Sequence, residues 1–419
     1  VKRQNLLLLL VALVFSACGT SGSGEGGGSV VGPTPPGANV MQLTVNSGPT
    51  GNSVNSPFTS VTICAPGTSQ CQTIDGIVVD TGSYGLRLFA SQISVNLPPE
   101  TTSSGETIVE CAYFGSFTTW GPMKTAAVIL GKEPAVNVPI QVMNDPNFPA
   151  PPSPTSSECS GSSPPQVCQC LQSALNPTIA NSPQIVGANG ILGVGVFQND
   201  CPACASPPGS GNPGYYACPS GNASACSVVP VAANEQAENP VVSLPADNNG
   251  VVINLPSIPA DGAQSVTGSM LLGINTQSNN GLGSAAVYTL DSSGMLTTTF
   301  NGQNYPGFLD TGSNALFFPD PSLATCPSDP GFYCPSSTYQ ASAINTGFNN
   351  QSGTVTFQIA NAQTLFAANN GGNTAFNDLG GPLSGMFDWG LPFFFGRPVF
   401  FGIAGQNPSI SGNSPFYAY

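Results

Sequence analysis

The chain has 419 residues, enough for a large core or two lobes, yet only 6 % of them are charged. Lys and Arg number 6 against 20 Asp and Glu, the formal net charge is −14, and there is no His. This balance excludes a phosphate-neutralising nucleic-acid surface, and the lack of His removes Ser-His and Cys-His catalysis and most zinc sites.

At the start, Lys2 and Arg3 precede an apolar stretch over residues 6–15. It is too short for a membrane-spanning helix and has the length of a signal-peptide core, so residues 1–17 read as a signal peptide. The run Phe15-Ser16-Ala17-Cys18 resembles a bacterial lipoprotein cleavage site. That resemblance implies lipid on Cys18 and, with no Asp at position 19, an outer-membrane anchor that places the domain in the periplasm or on the cell surface. Ordinary secretion is the alternative. Residues 18–38 are Gly, Ser, Thr and Pro with little that is apolar, and read as a lipidated, flexible tether.

Beyond the tether, 50 Gly and 41 Pro are spread through the chain and would break most long helices. Short apolar or alternating runs predict strands over residues 41–45, 58–63, 73–79, 126–130 and 136–142. The second half repeats the pattern over 251–255, 270–274, 285–290, 295–300, 354–359 and 391–401. Short helices are expected over 167–175 and 360–366. The expected fold class is all-β with two lobes, residues 39–245 and 246–419, and with Cys/Pro-rich insertions over 144–183 and 199–250. Of the 13 Cys, those other than Cys18 make an even set that suits disulfides in an oxidising compartment. Cys64–Cys71 and Cys326–Cys334 are candidate local loop closures. Cys201-Pro-Ala-Cys204 has redox spacing, but in its Pro/Gly/Ser setting it reads as a structural disulfide.

The most informative feature is a repeated tetrapeptide. Asp80-Thr81-Gly82-Ser83 and Asp310-Thr311-Gly312-Ser313 each sit between apolar runs, one in each half. Two carboxylates on matching strand–turn–strand elements can share one proton and activate one water. Between the two lies Asn189-Gly190-Ile191-Leu192-Gly193, and about thirty residues after Asp80 comes Glu110-Cys111-Ala112-Tyr113-Phe114-Gly115-Ser116.

Together these motifs resemble the pepsin-like aspartic proteases over most of residues 40–405, and also a family of uncharacterised bacterial exported lipoproteins with two Asp-Thr-Gly-Ser motifs. The resemblance implies a bilobal fold in which Asp80 and Asp310 face each other as a catalytic dyad acting on a peptide or protein substrate. Thr81 and Thr311 would lock the turns together, Gly82 and Gly312 would allow close approach, and Ser83 and Ser313 would hold the carboxylates. Tyr113 would be the tyrosine of a closing flap, and Ile191, Leu192 and Gly193 would thread beside the first turn. Asp388-Trp389-Gly390 stands where the second lobe should have two apolar residues and Gly, a departure from the pattern. The alternative function is a non-catalytic envelope protein that binds or builds on the same fold; carboxylate chemistry on a glycosidic bond is a third reading, disfavoured by the close spacing of a proton-sharing pair.

Other features carry less. Trp120, Trp389 and Phe393-Phe394-Phe395 read as core before cleft. Arg87 follows the first turn closely and either pairs with a buried or edge carboxylate or sits on the surface. No metal cluster or phosphate-cradling loop is legible, so neither cofactor nor metal is expected, and the protein is expected to be a monomer without nucleic-acid partners.

Overall fold

Alternating β-branched and polar residues make Pro57–Cys64 and Cys71–Asp80 an antiparallel hairpin, closed at its end by the Cys64–Cys71 disulfide. The computed structural model describes residues 28–33, 35–149, 178–206, 214–219 and 225–419. Six strands of the first lobe close on themselves. Cys71–Asp80 pairs in parallel with Gly190–Val194, which runs antiparallel to Tyr84–Phe89. Tyr84–Phe89 pairs in parallel with Val136–Met143, and the long strand Phe117–Ile129 returns from there to Pro57–Cys64. Val61, Ile63, Val79, Leu86, Val138, Ile140 and Leu192 are sealed in the core this barrel shares.

The second lobe is a curled half-barrel of seven strands. It runs from the hairpin Tyr339–Thr346/Ser352–Ile359 through Leu296–Phe300 and Gln303–Leu309 to Phe387–Trp389, Leu316–Phe318 and Gly380–Pro382. Its core is aromatic: Phe318 stacks on Phe387 and meets Phe300 and Phe357 edge-on, and Trp389 packs on Phe387. Trp120, Trp389 and the Phe393–Phe395 run are all buried, in keeping with the core reading.

A third layer joins the two halves. Val40–Val45, Ser265–Leu272, Gly250–Leu255, Arg397–Gly402, Phe416–Ala418 and Val287–Thr289 form successive antiparallel pairs, and Val40–Val45 continues into the barrel through Pro57–Cys64. Among the described residues strand accounts for 42 % and helix for 9 %, and with two distinct sheets the architecture is all-β and two-lobed.

The structure departs from expectation at several points. Residues 29–31, expected as tether, form the strand Ser29–Val31, parallel to the edge of Ser265–Leu272. The run 391–401 is not one strand: Pro392 lies in a 3-10 turn over Leu391–Phe394, Gly396 takes a positive φ of 82°, and only Arg397–Gly402 is extended. The helix expected over 360–366 is Ala362–Ala367, capped by the Asn361 side chain accepting from the Thr364 amide. The helix expected over 167–175, the signal peptide and Cys18 lie outside the described residues. The described part of the second insertion does not stand apart. Its strand Tyr215–Cys218 pairs with Thr107–Tyr113 and with Ser227–Val228, widening that hairpin into a sheet. Disulfides Cys201–Cys204 and Cys218–Cys226 staple this region, and Cys326–Cys334 closes a loop of the second lobe as expected.

Candidate functional site

The two Asp-Thr-Gly-Ser turns meet. Cys71–Asp80 ends on the first aspartate, and Gln303–Leu309 delivers the second as the next residue. Approach is close enough that both glycines are obligatory: a Cβ on Gly82 would lie 2.8 Å from Asp310 Cγ, and one on Gly312 would lie 2.8 Å from Asp80 Oδ1. The Asp80 and Asp310 carboxyls thus face each other across the seam, each close to the other's turn glycine.

Four reciprocal hydrogen bonds hold the turns in register. The Thr81 amide donates to Thr311 Oγ1 at 3.1 Å, and the Thr311 amide donates to Thr81 Oγ1 at 3.0 Å. Each hydroxyl then donates across the seam, Thr81 Oγ1 to the Leu309 carbonyl at 3.3 Å and Thr311 Oγ1 to the Val79 carbonyl at 2.7 Å. Both threonines are sealed from solvent, so these groups have no water to fall back on.

Each carboxyl is held by its own turn. The Gly82 amide donates to Asp80 Oδ1 at 2.8 Å and Ser83 Oγ donates to Asp80 Oδ2 at 2.5 Å. The Gly312 amide lies 2.7 Å from Asp310 Oδ1, and Ser313 Oγ lies 3.0 Å from Asp310 Oδ2. These donors favour the charged form, but burial and the neighbouring Asp80 outweigh them and hold the Asp310 carboxyl well above the ordinary carboxylate range. Asp310 is therefore disposed to hold a proton where an isolated aspartate would be ionised, with a second carboxyl beside it. Such an arrangement can take a proton from a water and give one to an oxygen at the same time.

The strands behind the turns repeat. Gly190–Val194 runs parallel to the first aspartate strand with Leu192 opposite Val79 and Gly193 opposite Asp80. Phe387–Trp389 does the same in the second lobe, with Trp389 opposite Leu309 and the Trp389 carbonyl accepting from the Asp310 amide. Gly193 and Gly390 thus match, and each is hemmed in by backbone: an added Cβ would sit 2.6 Å from the Tyr84 amide nitrogen or 2.1 Å from the Ala315 carbonyl oxygen. Ile191 and Asp388 also match. The residue that departed from the sequence pattern is a buried carboxyl beside Asp310, and its Oδ2 lies 2.6 Å from Ser313 Oγ.

An apolar cavity opens at the pair. Asp80, Asp310 and Gly312 form one wall, and Ser56, Phe58, Val78, Phe114, Phe117, Val186 and Ile191 line the rest. The hairpin Thr107–Tyr113/Phe117–Ile129 therefore contributes Phe114 and Phe117 to the cavity, whereas the Tyr113 hydroxyl donates to the Gly115 carbonyl of its own turn. Beneath this hairpin Arg87 is fully buried. Its guanidinium pairs with Glu110 and, at 3.0 Å, with Asp200, donates to the Tyr84 carbonyl at 2.7 Å and lies over the Phe114 ring. Sequence reasoning found Arg87 but neither Glu110 nor Asp200 as its partners, because the residues lie 23 and 113 positions away.

No curated protein matches the chain. A family match covers the barrel, both aspartate turns and the joining sheet, and the chain accordingly belongs to the family described as protein of unknown function (DUF3443), over residues 35–419.

Proposed function

We propose that this protein is an aspartic endopeptidase of the pepsin-like type, hydrolysing peptide bonds with a water activated between Asp80 and Asp310. The observation that carries the reading is the close approach of two buried carboxyls on matching turns at the wall of a largely apolar cavity, with Asp310 pushed toward its protonated form. The ionised member accepts a proton as water attacks the peptide carbonyl, and the protonated member donates to the carbonyl oxygen. Gly82 and Gly312 admit the close approach, and the amide and hydroxyl of each turn fix the carboxyl planes. The cavity walls suit an apolar side chain next to the scissile bond, with Phe114 and Phe117 covering it from the hairpin. Lipid on Cys18 would hold the enzyme at the outer membrane, a point that metabolic labelling with a radioactive fatty acid tests against Cys18→Ala.

The decisive experiment presents a diverse peptide library to the purified, disulfide-bonded protein from about pH 3 to about pH 7. Cleavage that is absent in Asp80→Asn and Asp310→Asn and blocked by a statine-type mimic of the tetrahedral intermediate supports the assignment. A folded protein that cleaves nothing across this range returns the fold to the non-catalytic binding role.

A further inference from the structure

A third carboxyl stands behind Asp310, and the proposed reaction does not use it. Asp388 is sealed from solvent, its Oδ1 has no hydrogen-bond partner, and its Oδ2 meets Ser313 Oγ at 2.6 Å. The same Ser313 Oγ is 3.0 Å from Asp310 Oδ2. A hydroxyl carries a single proton and can donate to one carboxyl only, so the other contact needs a proton supplied by the carboxyl itself. The ionisable groups facing Asp388 are Asp310 and Asp80 from the two turns and the Tyr417 hydroxyl from Phe416–Ala418, none of them cationic. An ionised Asp388 would be an uncompensated buried charge, which proteins avoid by taking up a proton. Asp310, in contrast, lines the cavity and has the Gly312 amide as a further donor.

We propose that Asp388 is a permanently protonated positioning residue: its carboxyl O–H donates to Ser313 Oγ and so reserves the Ser313 proton for Asp310. The hydrogen bonds then point one way, Asp388 to Ser313 to Asp310, and each polarises the next. Across the three carboxyls there are two protons and one negative charge. Burial and the neighbouring Asp310 push the Asp388 carboxyl well above its ordinary range, in line with this count. The first lobe has no equivalent, since the matching position is Ile191. The two aspartates are therefore inequivalent: the serine at Asp310 is held by a buried acid. The hydrogen-bond assignment stands on geometry alone; its catalytic consequence rests on the peptidase reading.

The test reads protons without substrate. Carbon NMR of the full chain, labelled at the Asp side-chain carboxyls, is recorded across a pH series. Asp388→Asn, whose amide can donate to Ser313 in place of the acid, identifies the Asp388 signal by its disappearance, and Asp310→Asn identifies the Asp310 signal. The Asp388 signal is expected at the protonated-acid position from about pH 4 to about pH 8. Asp388→Leu, which removes the polarising donor but offers Ser313 no competing acceptor, is expected to leave the Asp310 titration within about half a pH unit, as Asp388→Asn does, whereas removal of an ionised Asp388 would lower it by about one unit or more. Should the Leu variant not fold, Ser313→Ala replaces it and is expected to raise the Asp310 titration while Asp388 stays protonated. An Asp388 signal at the ionised position near neutrality overturns the proposal, as does an Asp310 titration lowered by about one pH unit or more in the Leu variant. Because no peptide is cleaved in this experiment, failure of the peptidase assignment and failure of this one are read separately.

Discussion

Thr311→Val tests whether the seam between the lobes is held by the hydroxyls and not merely by shape. Valine keeps the volume and branching of threonine but removes Oγ1. The Thr81 amide then loses its acceptor at 3.1 Å and the Val79 carbonyl loses a donor at 2.7 Å. The stranded amide is sealed from water, so it incurs the desolvation penalty of an unmet donor, about 1–3 kcal/mol, and the lost bond to the carbonyl adds about 1 kcal/mol. The expected loss is about 2–4 kcal/mol, measured by urea unfolding followed with two independent probes. Thr311→Ser keeps the hydroxyl and should lose no more than about 1.5 kcal/mol, the worth of one buried methyl group. The two threonines belong to one reciprocal network, so the double variant should lose more than either single variant but less than the sum of the two, about 3–6 kcal/mol, still a large share of a typical domain's stability. A Thr311→Val protein within about 0.5 kcal/mol of the parent would refute the reasoning, as would Ser and Val variants of equal stability.

Other expectations follow from the same geometry. Gly82→Ala places a methyl 2.8 Å from Asp310 Cγ and should lower peptide cleavage at least ~100-fold by displacing that carboxyl, as steady-state kinetics would show. Burial, with Asp261 nearby, pushes the Asp378 carboxyl up to about 6. The folded protein therefore holds a proton that the unfolded chain has released, and stability should fall by about 2–3 kcal/mol as pH rises from about 4 through about 6. Asp378→Asn should flatten that part of the unfolding profile; an unchanged slope would count against it. Arg87→Met leaves Glu110 buried without its cation and should cost about 3–5 kcal/mol in urea unfolding, with Glu110→Gln in the same chain recovering part of the loss.

Much of this architecture was legible because its causes are local. β-Branched and alternating runs placed Val40–Val45, Pro57–Cys64, Cys71–Asp80 and Ser352–Ile359 within a residue or two of their observed ends. The repeated Asp-Thr-Gly-Ser and the intervening Ile191-Leu192-Gly193 fixed which turns would meet, and the structure brings those turns together. What sequence reading missed depends on contacts between distant segments or on a choice of face. Tyr215–Cys218 lies in a cysteine-rich insertion and becomes a strand only because Thr107–Tyr113 offers it an open edge. Tyr113 ends its strand and Phe114 opens the turn that follows, and it is Phe114 that lines the cavity. Asp388 was visible as a departure from an apolar pattern, but its meaning required knowing that Ser313, 75 positions earlier, would be its partner.

The placement of the few basic residues makes the folded protein a poor substrate for trypsin. Four of the 6 fall among the described residues. Arg87 is locked beneath the hairpin, Lys124 lies within a strand and is tied to Asp145, and the bond after Arg397 leads into Pro398. Lys132 alone among them sits exposed in a turn. Trypsin acting on the native state should therefore cut this part of the chain at one bond or not at all, and even the unfolded chain would yield very large fragments. Proteolytic mapping of the fold needs an enzyme that cuts at apolar residues.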